Sequence, residues 1–242
     1  MLKSFVNFFQ QLFVAHWRSL LSLLIGVYLP LQIFGLLALD LRQNEGGFSW
    51  DLPILVAIHT TSQAYLDTFA VTLTKFGSFP VVLFLVCVIG LIFLLMRRWR
   101  SLTYLLITIL GSSFITRTLK ELMHRVRPQL WDSLSPELDY AFPSGHATAS
   151  MALVAALVVL TWGSAWCWFI LIFGSLFVLA IAWTRLYLGV HFPSDILAGW
   201  MISVAWAVGV GLILKPHLTN SPAINESQAV NETTLNPEKE LL

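Results

Sequence analysis

Between Ala147 and Thr184 the chain runs for 38 residues without a charged side chain. One continuous helix of that length would extend about 57 Å. The hydrocarbon core of a bilayer is only about 30 Å thick. The segment must therefore turn back on itself, and Gly163-Ser164 supplies the turn chemistry. Four more apolar runs flank it, Leu20 to Leu39, Phe79 to Met96, Ser101 to about Thr116, and Ile196 to Leu214. The expected fold class is all-α, a polytopic membrane protein with six transmembrane helices. Composition agrees, because 57% of the 242 residues are hydrophobic and only 11% are charged. A soluble domain carries about 25% charged residues.

The expected organisation is one six-span domain over residues 20–214. Residues 1–19 mix Phe, Leu and Gln with few charges and read as an interfacial segment. Residues 215–242 lack a core pattern and read as a disordered cytoplasmic tail. Residues 41–78 form a long connection, with short interfacial helices expected at 54–59 and 66–76. Cys87 and Cys167 lie inside apolar runs and form neither a disulfide framework nor a zinc spacing. The net charge of +1 and the lack of a basic block give no reason to expect a nucleic-acid partner.

Charge placement orients the spans. Lys3 and Arg18 precede the first span, Arg97, Arg98 and Arg100 separate the second from the third, and Lys215 follows the sixth. Parity puts these on one side, which the positive-inside rule makes cytoplasmic. Lys120, Arg125 and Arg127 fall on the opposite side and break the rule. Arg117 and Arg125 read as interfacial anchors, whereas Lys120 and Arg127 call for a chemical role.

Three polar clusters share that opposite side: Lys120 through Pro128, Phe142-Pro143-Ser144-Gly145-His146, and Thr184-Arg185 followed by His191 and Asp195. Lys120, Arg127 and Arg185 together call for a dense anion, and a phosphoryl group fits. Ser144-Gly145 opens a helix, where free backbone N–H groups favour an anion and glycine permits its close approach. A histidine can attack phosphorus and hold it covalently, and a second can protonate the leaving alkoxide. Asp195, four residues after His191, suits a carboxylate that orients the nucleophile. That spacing assigns His191 as nucleophile, Asp195 as its orienter and His146 as the acid. The cations and N–H groups then carry the transition-state charge, so neither metal nor cofactor is expected.

These three clusters, in this order, resemble the signature motifs of the type-2 phosphatidic acid phosphatase family, over about residues 60–214. That family includes bacterial undecaprenyl-diphosphate and phosphatidylglycerophosphate phosphatases and shares its catalytic core with vanadium-dependent haloperoxidases. The resemblance implies a phosphohistidine at His191, acid catalysis by His146, and phosphate binding by Lys120, Arg127, Ser144, Gly145 and Arg185. It implies a lipid phosphate or diphosphate as substrate, and parity with the positive-inside rule puts the expected site on the non-cytoplasmic side of the plasma membrane. Thr184 departs from the family, which usually has Ser there. Phosphotransfer to an acceptor other than water uses the same intermediate. A transporter would want ionisable groups in mid-span, and the spans have almost none. His59 and His124 read as structural or solvated.

Overall fold

The computed structural model describes residues 17, 19–43 and 47–216. Most of the N-terminal segment and nearly all of the tail lie outside the described residues. Among the described residues all regular structure is helical. We label the helices α1 (Ser19–Gln43), α2 (Asp51–His59), α3 (Ala64–Thr74), α4 (Phe79–Leu95), α5 (Trp99–Met123), α6 (Gly145–Leu160), α7 (Ala165–Tyr187) and α8 (Pro193–Leu214). In α1 the turn Leu24–Tyr28 is π-helical, just before Pro30. Proline has no N–H to return to the preceding turn, so the ladder there widens.

Four of these helices, α1, α5, α7 and α8, are long and apolar enough to cross a membrane. A fifth crossing results if α3 and α4, bent by 47° at their junction, are taken as one span. The sixth expected span is α6, an apolar helix of 16 residues that is shorter than the others. The turn expected at Gly163-Ser164 falls between α6 and α7, where Gly163 takes a positive φ of 84°. The third run was expected to end near Thr116, yet α5 continues to Met123. Its last turns tolerate Lys120 because that side chain is buried against Asp139, while Arg117 is exposed as an anchor would be. The helix stops at His124, which adopts the left-handed conformation at φ 48°. The helices expected in the 41–78 connection are α2 and α3.

The molecule is apolar outside as well as inside. Phe84, Leu95, Phe114, Ile172, Leu176 and Ile213 are all more than half exposed. Such faces suit lipid contact, and no water-soluble surface would carry so many. At the centre stands α6, packed against α5, α7 and α8. Six of its eight buried residues are small, Ala147, Thr148, Ala149, Ser150, Ala152 and Ala156, beside Leu153 and Val154. Small residues let helix backbones approach closely. At the α6–α8 crossing a Cβ on Gly199 would lie 2.9 Å from Thr148 Oγ1 and 3.0 Å from the Ser144 carbonyl. That contact clamps the N-termini of α6 and α8 side by side, and the Ser144 N–H donates to the Asp195 carbonyl at 3.0 Å.

Candidate active site

The helices α5, α6, α7 and α8 alternate in direction. The end of α5, the start of α6, the end of α7 and the start of α8 therefore meet at one end of the bundle, and together they bring the three polar clusters there. Lys120 comes from α5, Ser144 to His146 from the start of α6, Arg185 from α7, and His191 and Asp195 from the approach to α8. All eight residues singled out in the sequence lie in this one region.

His191 is fully buried, and its Nδ1 lies 3.4 Å from Asp195 Oδ2. A carboxylate only accepts, so Nδ1 carries the proton and Nε2 keeps its lone pair. Nε2 points into the cluster, 3.0 Å from Arg127 Nη1 and 3.7 Å from Glu137 Oε2. Asp195 is held in turn, because its Oδ2 accepts the Phe192 N–H at 2.8 Å and its Oδ1 is ion-paired with Arg125. The first turn of α8 thus orients the carboxylate that orients the histidine.

Arg127 is the hub of the cation set. Its Nε donates to the Asp139 carbonyl at 2.7 Å, its Nη1 to the Val190 carbonyl at 2.7 Å, and its Nη2 pairs with Glu137 Oε2 at 2.6 Å. Arg185 is fully buried. It donates from Nη1 to Thr74 Oγ1 at 2.8 Å and pairs through Nη2 with Glu137. Its Nε is buried with no hydrogen-bond partner among the described residues, which leaves a donor for an anion. Lys120 pairs with Asp139. Ser144 is the N-cap of α6, with the Ala147 N–H donating to its Oγ at 3.5 Å. A Cβ placed on Gly145 would meet nothing within 4 Å, so the space above that first turn is open. His146 Nδ1 lies 3.5 Å from Glu137 Oε1. The Thr184 hydroxyl donates to the Ile181 carbonyl at 2.6 Å and is fully buried. It is committed to its own helix, which explains how threonine can stand where serine is usual.

Two loop carboxylates complete the cluster, and neither was singled out in the sequence. Burial alone would raise the Glu137 carboxyl. The guanidinium charges of Arg185 and Arg127 outweigh it and hold Glu137 well below the usual carboxylate range. Burial also opposes ionisation of Asp139, but Lys120 and Arg127 hold it below its ordinary value. Glu137 touches Arg127, Arg185, His146 and His191 at once. It is the anion held among these cations and histidines.

Arg125 corrects an expectation. It is no interfacial anchor, because it is buried and bridges Asp51 and Asp195. The nearness of Arg125 to a span end resembles that of a snorkelling cation, and its partners are remote in sequence. His59 stacks on Trp131 at 3.6 Å and His124 meets Tyr140 edge-on, so both serve packing. Beside the cluster a cavity of about 510 Å³ runs between α5 and α6. Lys120, Glu137 and His146 line its polar end, and Phe79, Ile109 and Ala149 its apolar wall.

Known proteins are similar to this chain in sequence and in fold. The family model of the PAP2 superfamily matches residues 101–216. An undecaprenyl-diphosphatase of Sulfolobus acidocaldarius is 27% identical over 194 residues, covering 75% of this chain and 84% of that protein. Phosphatidylglycerophosphatase B of Bacillus subtilis is 30% identical over 149 residues, covering 59% of this chain and 72% of that protein. Among solved structures, a transmembrane PAP2-type phosphatidylglycerolphosphate phosphatase from Bacillus subtilis matches with a TM-score of 0.71 at 24% identity, over 81% of this chain and all of that one. LpxE of Aquifex aeolicus matches with a TM-score of 0.57 at 24% identity, over 67% of this chain and 95% of that one. The two structures share the fold. The chain belongs to the PAP2 superfamily.

Proposed function

We propose that this protein is an integral membrane lipid phosphatase that hydrolyses a lipid phosphomonoester or diphosphate through a phosphohistidine at His191. The relatives named for lipid phosphatase activity support the reaction class. The observation that carries the chemistry is the setting of His191 Nε2. It lies 3.0 Å from the donor Arg127 Nη1, is backed by Asp195 through Nδ1, and faces a carboxylate that two arginines hold between two histidines.

A lipid phosphate displaces Glu137 from the cations. Nε2 attacks phosphorus, the bond from phosphorus to the lipid-side oxygen breaks, and His146 gives its proton to that oxygen. Asp195 keeps the Nδ1 proton and stabilises the positive ring. Lys120, Arg127, Arg185 and the N–H groups at the start of α6 neutralise the phosphoryl oxygens. Water then attacks the phosphohistidine and gives its proton to His146. The N–P bond breaks, and inorganic phosphate leaves.

The cavity between α5 and α6 would receive the lipid chain. Ile109 and Lys120 are eleven residues apart on α5, so the slot follows that helix for about 16 Å. Six membrane crossings follow if α6 spans as well. Arg97, Arg98 and Lys215 lie at the end of the bundle opposite the motif residues, where the Ser101 hydroxyl donates to the Pro216 carbonyl at 3.2 Å. The positive-inside rule then puts the site on the non-cytoplasmic side of the plasma membrane. The deciding test is phosphate release by purified protein from lipid monophosphates and diphosphates in detergent, with His191→Ala alongside. Turnover by His191→Ala would overturn the mechanism, and no release from any lipid phosphate would overturn the function.

A further inference from the structure

Asp51 stands far from the motifs in sequence, on α2, outside the region that the family model matches. Its carboxylate is nonetheless buried against the support of the nucleophile. Oδ1 accepts the Ser194 N–H at 2.9 Å, while Oδ2 accepts the Ser194 hydroxyl and pairs with Arg125 Nη2 at 2.7 Å. Arg125 Nη1 reaches Ser194 Oγ at 2.7 Å and pairs with Asp195 Oδ1. The guanidinium carbon stacks 4.4 Å from the centre of the Phe192 ring. Gly47 covers the other end, where a Cβ would come within 2.9 Å of Arg125 Nη2. Asp51, Arg125, Asp195 and His191 thus form an unbroken buried chain that ends at the attacking nitrogen's own ring.

Charge explains why the chain has two carboxylates. Arg125 and Asp195 alone would make a neutral pair, with little net field to favour a positive imidazole. Asp51 adds a second negative charge, so the buried trio carries a net charge of −1. Attack by Nε2 on phosphorus places +1 on the His191 ring, and at short range in a buried site that charge interacts strongly. We propose that Asp51 is a positioning residue for phosphoryl transfer, offsetting Arg125 so that Asp195 can hold the His191 ring and support its positive charge. The proposal rests on the phosphohistidine reading above.

The test uses the full-length purified protein and four measurements: kcat, KM, the rate of phosphohistidine formation, and vanadate inhibition. Asp51→Asn should lower kcat and the phosphorylation rate by about 10- to 100-fold, the usual range for outer-shell support. KM and vanadate inhibition should stay within about twofold, since Asp51 touches no phosphate ligand. The decisive variant is Asp51→Asn/Arg125→Gln, which removes one charge of each sign and restores the net −1. It should recover at least about tenfold in kcat over Asp51→Asn. A purely architectural role predicts no recovery, because the double variant loses more contacts. Unchanged kcat in Asp51→Asn, an equal loss of vanadate affinity, or a double variant no faster than the single would overturn the proposal. Should Asp51→Asn fail to fold, the double variant decides alone: kcat within about tenfold of wild type supports the proposal, and a larger loss overturns it. If wild type forms no phosphohistidine, the reading of function fails instead, and the two failures are distinct.

Discussion

Glu137 Oε2 lies 3.7 Å from His191 Nε2, so a carboxylate of the protein stands in front of the proposed nucleophile. The same group pairs with Arg127 and Arg185. In the proposed mechanism an incoming phosphate displaces it, and the cations assigned to the phosphate are the ones that Glu137 now pairs with.

Glu137→Gln should therefore strengthen vanadate inhibition by about tenfold, because a competing negative charge is gone. Dose–response curves on purified protein check this.

The same pairing has a pH signature. Glu137 and Asp139 are both held below their ordinary values. Groups of that kind contribute stability that is present above the unfolded carboxyl range, near pH 4, and is lost as pH falls through the folded values. Thermal melts of the ligand-free protein should show Glu137→Gln less stable than wild type at pH 7. The two should converge as the pH is lowered below about 4. A constant gap across that range would mean that the carboxylate charge contributes nothing.

The two histidines should fail differently. His191→Ala should form no phosphoenzyme and release no phosphate. His146→Ala should lose nearly all turnover, while substrates with good leaving groups recover part of it, because they need no proton. Quench-flow with a labelled substrate separates these outcomes.

Arg185→Lys should reduce kcat/KM by at least about 100-fold. Arg185 uses three separate nitrogens, Nη1 toward Thr74, Nη2 toward Glu137 and a buried Nε, and the single nitrogen of lysine cannot cover all three positions. Steady-state kinetics decide, and a loss below threefold would mean that charge alone suffices.

Activity should persist in EDTA, since the positive charge around the phosphate comes from side chains. Loss of activity in EDTA that Mg²⁺ restores would contradict a cation-only cradle.

Sidedness can be read with single cysteines in a background lacking Cys87 and Cys167. A membrane-impermeant thiol reagent applied to intact cells should label Ser135→Cys and leave Arg98→Cys untouched. The reverse pattern would place the site in the cytoplasm.

What the sequence determined on its own was local or summed over the chain. The long uncharged runs demanded helices in lipid, because a backbone there must satisfy its own hydrogen bonds. Ser144-Gly145 marked a helix start because caps are set by neighbouring residues. The His191–Asp195 spacing placed a carboxylate behind a ring within one turn. Only the tertiary structure assigned Glu137, Asp139, Arg125 and Asp51. Glu137 and Asp139 lie in a loop with no periodicity, and packing alone places them over the cations. Arg125 reads locally as a surface anchor and becomes a buried hub through Asp51, 74 residues earlier, and Asp195, 70 residues later. Burial and pairing of charge depend on which helices meet, and close packing of small residues along α6 and α8 decides that here.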